Sequence, residues 1–154
     1  MGTSIGEVIF KGAPESLLAV LCVYFFCKIR RPKTNEMFLL WAIIMVVTFV
    51  SRILMDGYGV SLLITTAVLV VIFHTIVKIP LTKVINGSLL FVLFLIIAEA
   101  LNFLMLQLLI PDKLELILND SHTRIIYTIP STILLALQVF AVYYYYFIRK
   151  QKDV

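Results

Sequence analysis

Three ionisable side chains stand inside stretches that are otherwise apolar: Glu15, Arg52 and Glu99. Glu99 is the single ionisable residue in the 27 residues from Val84 to Ile110. A carboxylate at the centre of a membrane helix costs about 2.5–3.5 kcal/mol on insertion scales, so it is expected to face the bundle interior and to have a partner. Asn102, one turn beyond Glu99, is an uncharged hydrogen-bonding companion on the same helix. Arginine stays charged and presents five donors in a planar fork, so a guanidinium flanked by two carboxylates is a sound arrangement. Such a cluster suits recognition of a ligand, or coupling of a binding event to helix movement. The competing arrangement has Arg52 reaching to the membrane surface and pairing with Asp56, while Glu15 caps its own helix in water and Glu99 only locks helices together.

The elements that must position these residues follow from composition. Of the 154 residues, 62% are hydrophobic and 14% charged, against about 25% charged in an ordinary soluble domain. Mean hydropathy is +1.06, which marks an integral membrane protein with the lipid bilayer as its first partner. The net charge of +4 does not argue for nucleic acid, because the Lys and Arg residues cluster at the ends of apolar stretches. Five spans are expected: 13–29, 37–54, 60–77, 84–110 and 125–148; the apolar Ile5, Val8, Ile9 and Phe10 allow the first helix to begin several residues earlier, since Pro14 is tolerated in an opening turn and need not stop a membrane helix. Asp56-Gly57-Tyr58-Gly59 gives a tight turn between the second and third spans, and Pro80 interrupts the connection between the third and fourth. The third and fourth spans should therefore be adjacent and antiparallel. From 112 to 124, Leu114, Ile117 and Leu118 recur at helical spacing among charges, the pattern of a short amphipathic helix lying on the external membrane surface. The expected fold is an all-α, five-span bundle in one membrane domain, with no cleavable signal peptide at its start.

Alternating loops divide the basic residues unequally. Nine fall on the side of the Lys28–Lys33 cluster, Lys78, Lys83 and the C-terminal group; four, Lys11, Arg52, Lys113 and Arg124, fall on the other. The positive-inside rule then places the N-terminus outside the cell membrane and the C-terminus in the cytoplasm, with Trp41 and the tyrosines 143–146 at the inner interface. Counting about 1.5 Å per residue from the inner ends puts Glu99 and Arg52 each roughly 22 Å up and Glu15 roughly 21 Å up, one level in the outer half of a core about 30 Å thick.

Other chemistry finds little footing. Cys22 and Cys27, five apart, do not share a helix face and read as packing residues. His74 falls near the inner end of the third span and His122 in the external loop, with no third ligand nearby to complete a metal site. No Gly-x-Ser-x-Gly, His-Glu-x-x-His or phosphate-binding glycine loop is present, so no catalytic residue and no cofactor is assigned.

The residues Gly12-Ala13-Pro14-Glu15-Ser16-Leu17-Leu18, Ser51-Arg52-Ile53-Leu54 with the glycine turn after it, and Lys78-Ile79-Pro80 through Ala98-Glu99-Ala100 together resemble the N-terminal membrane region of bacterial sensor histidine kinases of the Agr-like quorum-sensing type. The resemblance implies a sensor that binds an extracellular ligand, often a peptide, and signals to a cytoplasmic kinase region. The histidine-bearing dimerisation helix and ATP-binding domain of that family have no counterpart in these residues, so kinase activity is not implied. What carries over is a sensing role for Glu15, Arg52, Glu99 and Asn102. Its partners would be a peptide or small-molecule ligand, a kinase or other membrane protein, or a second copy of the chain. Two other classes compete: a small transporter or channel subunit, which needs polar residues at several depths, such as Gln138; and a structural subunit of a membrane complex, for which Gly87 and Ser88 would serve close helix contacts.

Overall fold

The computed structural model describes residue 6 and residues 8–29, 33–54, 58–110 and 121–149. It is an all-α polytopic bundle. Among the described residues five α-helices carry the chain back and forth: α1 (Ala13–Phe26), α2 (Thr34–Leu54), α3 (Tyr58–Ile72), α4 (Leu81–Leu109) and α5 (Ser121–Tyr143). Short π-helical turns precede α1 (Val8–Gly12) and extend α3 (Phe73–Val77) and α5 (Tyr144–Arg149). With these turns, five stretches among the described residues are long and apolar enough to cross a membrane: Ile9–Phe26, Thr34–Leu54, Gly59–Val77, Leu81–Leu109 and Ile125–Arg149. The first begins four residues before the expected Ala13, because the apolar Ile9 and Phe10 continue the helical run on the far side of Pro14. The surface helix expected over 112–124 lies outside the described residues up to 120; from Ser121 onward the chain already belongs to α5.

The helix at the centre is α1. It packs against α2, α4 and α5, and 44% of its spanning window is buried, twice the 22% of α4. Small side chains make this possible: Ser16, Ala19 and Cys22 let neighbouring backbones approach, and the fully buried Val20, Val23 and Tyr24 fill the rest. On the partner side, Gly87 of α4 is seated against α1; a β-carbon there would lie 3.3 Å from Phe26 Cδ1 and 3.5 Å from the Val23 backbone. The neighbours α3 and α4 pack together, as do α2 and α3. The last pair is pinned by a buried hydroxyl contact of 2.7 Å between Ser51 and Ser61.

At the end where α1 finishes, Lys28 adopts a left-handed conformation (φ 63°), its amide bonding to the Phe25 carbonyl and that of Ile29 to the Tyr24 carbonyl. This closure stops the helix without a glycine. Cys22 is buried in the core and Cys27 is half-buried at the helix end; neither is bonded to another cysteine. The tyrosine run is divided by the π-helical turn. Tyr143 and Tyr146 pack on Phe25 and Phe26, with ring centroids 4.9 and 6.1 Å apart, while Tyr144 and Tyr145 face outward.

Candidate functional site

The charged residues meet where α1 begins. Glu15 lies in the first turn of α1, just past Pro14, with its side chain only 8% exposed. Arg52, in the last turn of α2, donates from Nη2 to Glu15 Oε2 at 2.9 Å and is itself 10% exposed. Lys11, in the π-helical turn one helical step before Glu15, places Nζ 3.7 Å from Glu15 Oε1 and donates to Glu99 Oε1 at 2.8 Å. The four form a row of alternating sign, Arg52–Glu15–Lys11–Glu99, carried by α2, α1, the turn before it, and α4. Among the described residues the row carries two positive and two negative charges, a balance under which ionised groups persist away from water.

This departs from the expected guanidinium flanked by both carboxylates. Among the described residues, Arg52 pairs with Glu15 and Glu99 pairs with Lys11, so a lysine stands between the halves of the cluster. The sequence signal for Lys11 is its i,i+4 spacing to Glu15. It is overlooked when the span is begun at Ala13, which leaves Lys11 in water. Glu99 is the more open end of the row, with 31% of its side chain exposed.

Asn102 has a different task from the one expected beside Glu99. Its Nδ2 donates 3.0 Å to the carbonyl of Tyr127 in α5, three residues before Pro130. A proline inside a helix removes a backbone donor and clashes with the preceding turn, and in a membrane the freed carbonyls must find other donors. The carbonyl that Pro130 deprives of its helical donor is that of Ile126; Asn102 bonds the next one along, Tyr127, from the neighbouring helix, and the Thr128 and Ser131 hydroxyls bond the Ile125 and Thr128 carbonyls at 2.9 and 2.7 Å. Asn102 thereby ties α4 to α5 at the interruption.

Trp41, expected at a membrane interface, points inward: its Nε1 donates 3.0 Å to the Ala13 carbonyl, which also receives the Ser16 hydroxyl at 2.9 Å. Below the Arg52–Glu15 pair, α1 to α4 enclose a cavity of about 30 Å³, lined by Glu15, Arg52, Ser16, Thr48, Ser61 and Thr65 on its polar side and by Ala19, Ile44, Leu62, Phe91 and Leu95 elsewhere. One water needs ~10–15 Å³ on this scale, so the space holds about two. A second cavity of about 60 Å³ separates Lys11 and Phe10 from α5 at Thr128 and Thr132.

Gln138 does not join this group; its Oε1 is buried with no hydrogen-bond partner among the described residues. His74 is exposed and its Nδ1 lies 3.0 Å from the Ile79 carbonyl. Among the described residues no three His, Cys, Asp or Glu side chains gather in a way that could hold a metal ion. Fold and site together define a multi-pass membrane protein with a buried ionic network at one end of its bundle. No protein-family model, curated protein sequence or solved structure matches the chain.

Proposed function

We propose that the protein is a membrane-embedded sensor or receptor-like module, non-catalytic, that receives a ligand at the outer face or from within the bilayer and passes the event to a membrane or cytoplasmic partner. The observation that supports this reading is the alternating row Arg52–Glu15–Lys11–Glu99, which joins three of the five helices by ion pairs at one end of the bundle. Buried ion pairs have discrete, strongly directional arrangements, so a ligand that competes for one member favours a different set of helix positions. The Agr-like resemblance agrees with such a role, and the excess of basic residues at the opposite end favours an external N-terminus and a cytoplasmic C-terminus in a cell membrane.

Spin labels at Leu54 and Leu109, both exposed and at the ends of α2 and α4 nearest the ionic row, test the proposal in lipid nanodiscs with Cys22 and Cys27 replaced. Adding the peptide-and-lipid extract of spent growth medium from the source cells is expected to shift the distance distribution, and Arg52→Gln to abolish the shift. Identical distributions with and without the extract would overturn the sensing role. Ion flux through the protein in liposomes would assign it to transport instead.

A further inference from the structure

The two ends of the bundle treat their cations differently. At the ionic row, Lys11 and Arg52 each meet a carboxylate. At the other end the described residues gather Lys28, Lys33, Lys78, Lys83 and Arg149 around one carboxylate, that of Glu36, which Lys33 takes at 3.2 Å. Among the described residues no carboxylate stands within ion-pair distance of Lys28 or Lys83. Like charges brought together at a membrane surface repel, and an anion placed between them relieves the repulsion.

These two lysines converge on one seam. Lys28 closes α1 in its left-handed turn and sets Nζ 5.8 Å from the centroid of the Tyr146 ring, close enough for the ring face to hold the ammonium. Tyr146 in turn packs edge-on against Phe26, centroids 6.1 Å apart. Lys83 arrives from α4. It stands one turn before Gly87, the residue that α4 seats against Phe26 and Val23, so Lys83 shares that face and emerges beside the end of α1. Its charge acts on the thiol of Cys27, the neighbour of Lys28. Both lysines are exposed, so a molecule in the membrane reaches them without any opening of the bundle.

The same face of α4 continues into the membrane with Leu90 and Phe94, both apolar and half-buried against the core. A molecule that fits is therefore anionic at the surface and apolar below it. We infer that the seam between the end of α1, the start of α4 and the Tyr144–Arg149 turn binds an anionic phospholipid of the adjoining leaflet, its phosphodiester between Lys28 and Lys83 and an acyl chain against Leu90 and Phe94. A zwitterionic headgroup brings its own ammonium toward the lysines and is disfavoured. A soluble anion has no chain to lay on the apolar face and forgoes that contribution.

The test takes the full chain from micelles holding equimolar phosphatidylglycerol and phosphatidylcholine with the same acyl chains, and counts retained lipid by native mass spectrometry. Phosphatidylglycerol is expected to be retained in preference and saturably. Lys28→Gln and Lys83→Gln, both at exposed positions and checked for helical circular dichroism, should each weaken its retention roughly fivefold, the contribution of one lysine at a membrane surface, and the double variant should bring the two lipids to near parity. Lys78→Gln removes the same charge from the end of α3, away from the seam, and should change retention by less than about twofold. Equal retention of the two lipids by the parent overturns the inference. So does an equal loss in all three single variants, which would show a diffuse positive field and no site at the seam. Displacement of phosphatidylglycerol by millimolar inorganic phosphate would give the lysines to a soluble anion and overturn the lipid assignment.

Discussion

Replacing Glu15 by Gln takes from Arg52, 10% exposed, the carboxylate it holds at 2.9 Å, and removes one of the two negative charges of the row among the described residues. Breaking a buried pair by removing one partner costs about 3–5 kcal/mol, because the remaining charge is stranded in a poor solvent. Arg52→Gln should cost less, near 3 kcal/mol, since Glu15 keeps Lys11 at 3.7 Å. Removing both partners leaves Lys11 and Glu99 as a balanced pair, so the double variant should lose less than the sum, with a coupling of about 2–3 kcal/mol. That is well above the ~0.6 kcal/mol average found for interhelical hydrogen bonds in membranes, so the two kinds of contact are separable. The assay is equilibrium unfolding in mixed micelles of the parent, the two single variants and the double, monitored by the loss of helical circular dichroism. Single-variant losses below about 0.5 kcal/mol that simply add would refute the argument and show Arg52 and Glu15 to be solvated surface charges.

Asn102→Leu should destabilise the parent by about 1–2 kcal/mol through loss of the α4–α5 bond to the Tyr127 carbonyl, and by a similar amount in a Pro130→Ala background, because the donor restored at 130 serves the Ile126 carbonyl; thermal unfolding of the four proteins gives the cycle. Gly87→Ala sets a β-carbon 3.3 Å from Phe26 Cδ1 and 3.5 Å from the Val23 backbone, so the base of the Phe26 ring must give by a few tenths of an ångström and the cost should stay below that of Gly87→Val, which presses further into the Val23 backbone and should cost about 1–3 kcal/mol in the same measurement. In a background lacking Cys22 and Cys27, a membrane-impermeant thiol reagent applied to whole cells should label Leu109→Cys and spare Lys33→Cys; labelling of both from outside would reject the topology.

The number and type of elements were legible because they depend on local sums. Around 20 consecutive apolar residues must form a helix in lipid whatever their neighbours do, since only a helix satisfies its own backbone there. Isolated charges in such runs also announce themselves, and Glu15, Arg52 and Glu99 are three of the four members of the ionic row. Pairing could not be read the same way. Each residue along a helix turns the side chain by about 100° and raises it about 1.5 Å, so beginning the first span at Ala13 instead of Ile9 was enough to leave Lys11 outside the cluster. Long side chains add several ångströms of reach, so depth counting could not show that Trp41 bonds Ala13 or that Arg52 chooses Glu15 and not Glu99. Nor does hydropathy rank the spans by centrality. The fourth, with one ionisable residue in 27, is the longer and more apolar helix, yet small residues on the first let its neighbours close around it. The sequence by itself determined the five spans and the charges that had to be neutralised within them. Only the tertiary structure decided which charge answers which and which helix lies at the centre, because rotation about each helix axis and the closeness of approach arise from all the packed faces together.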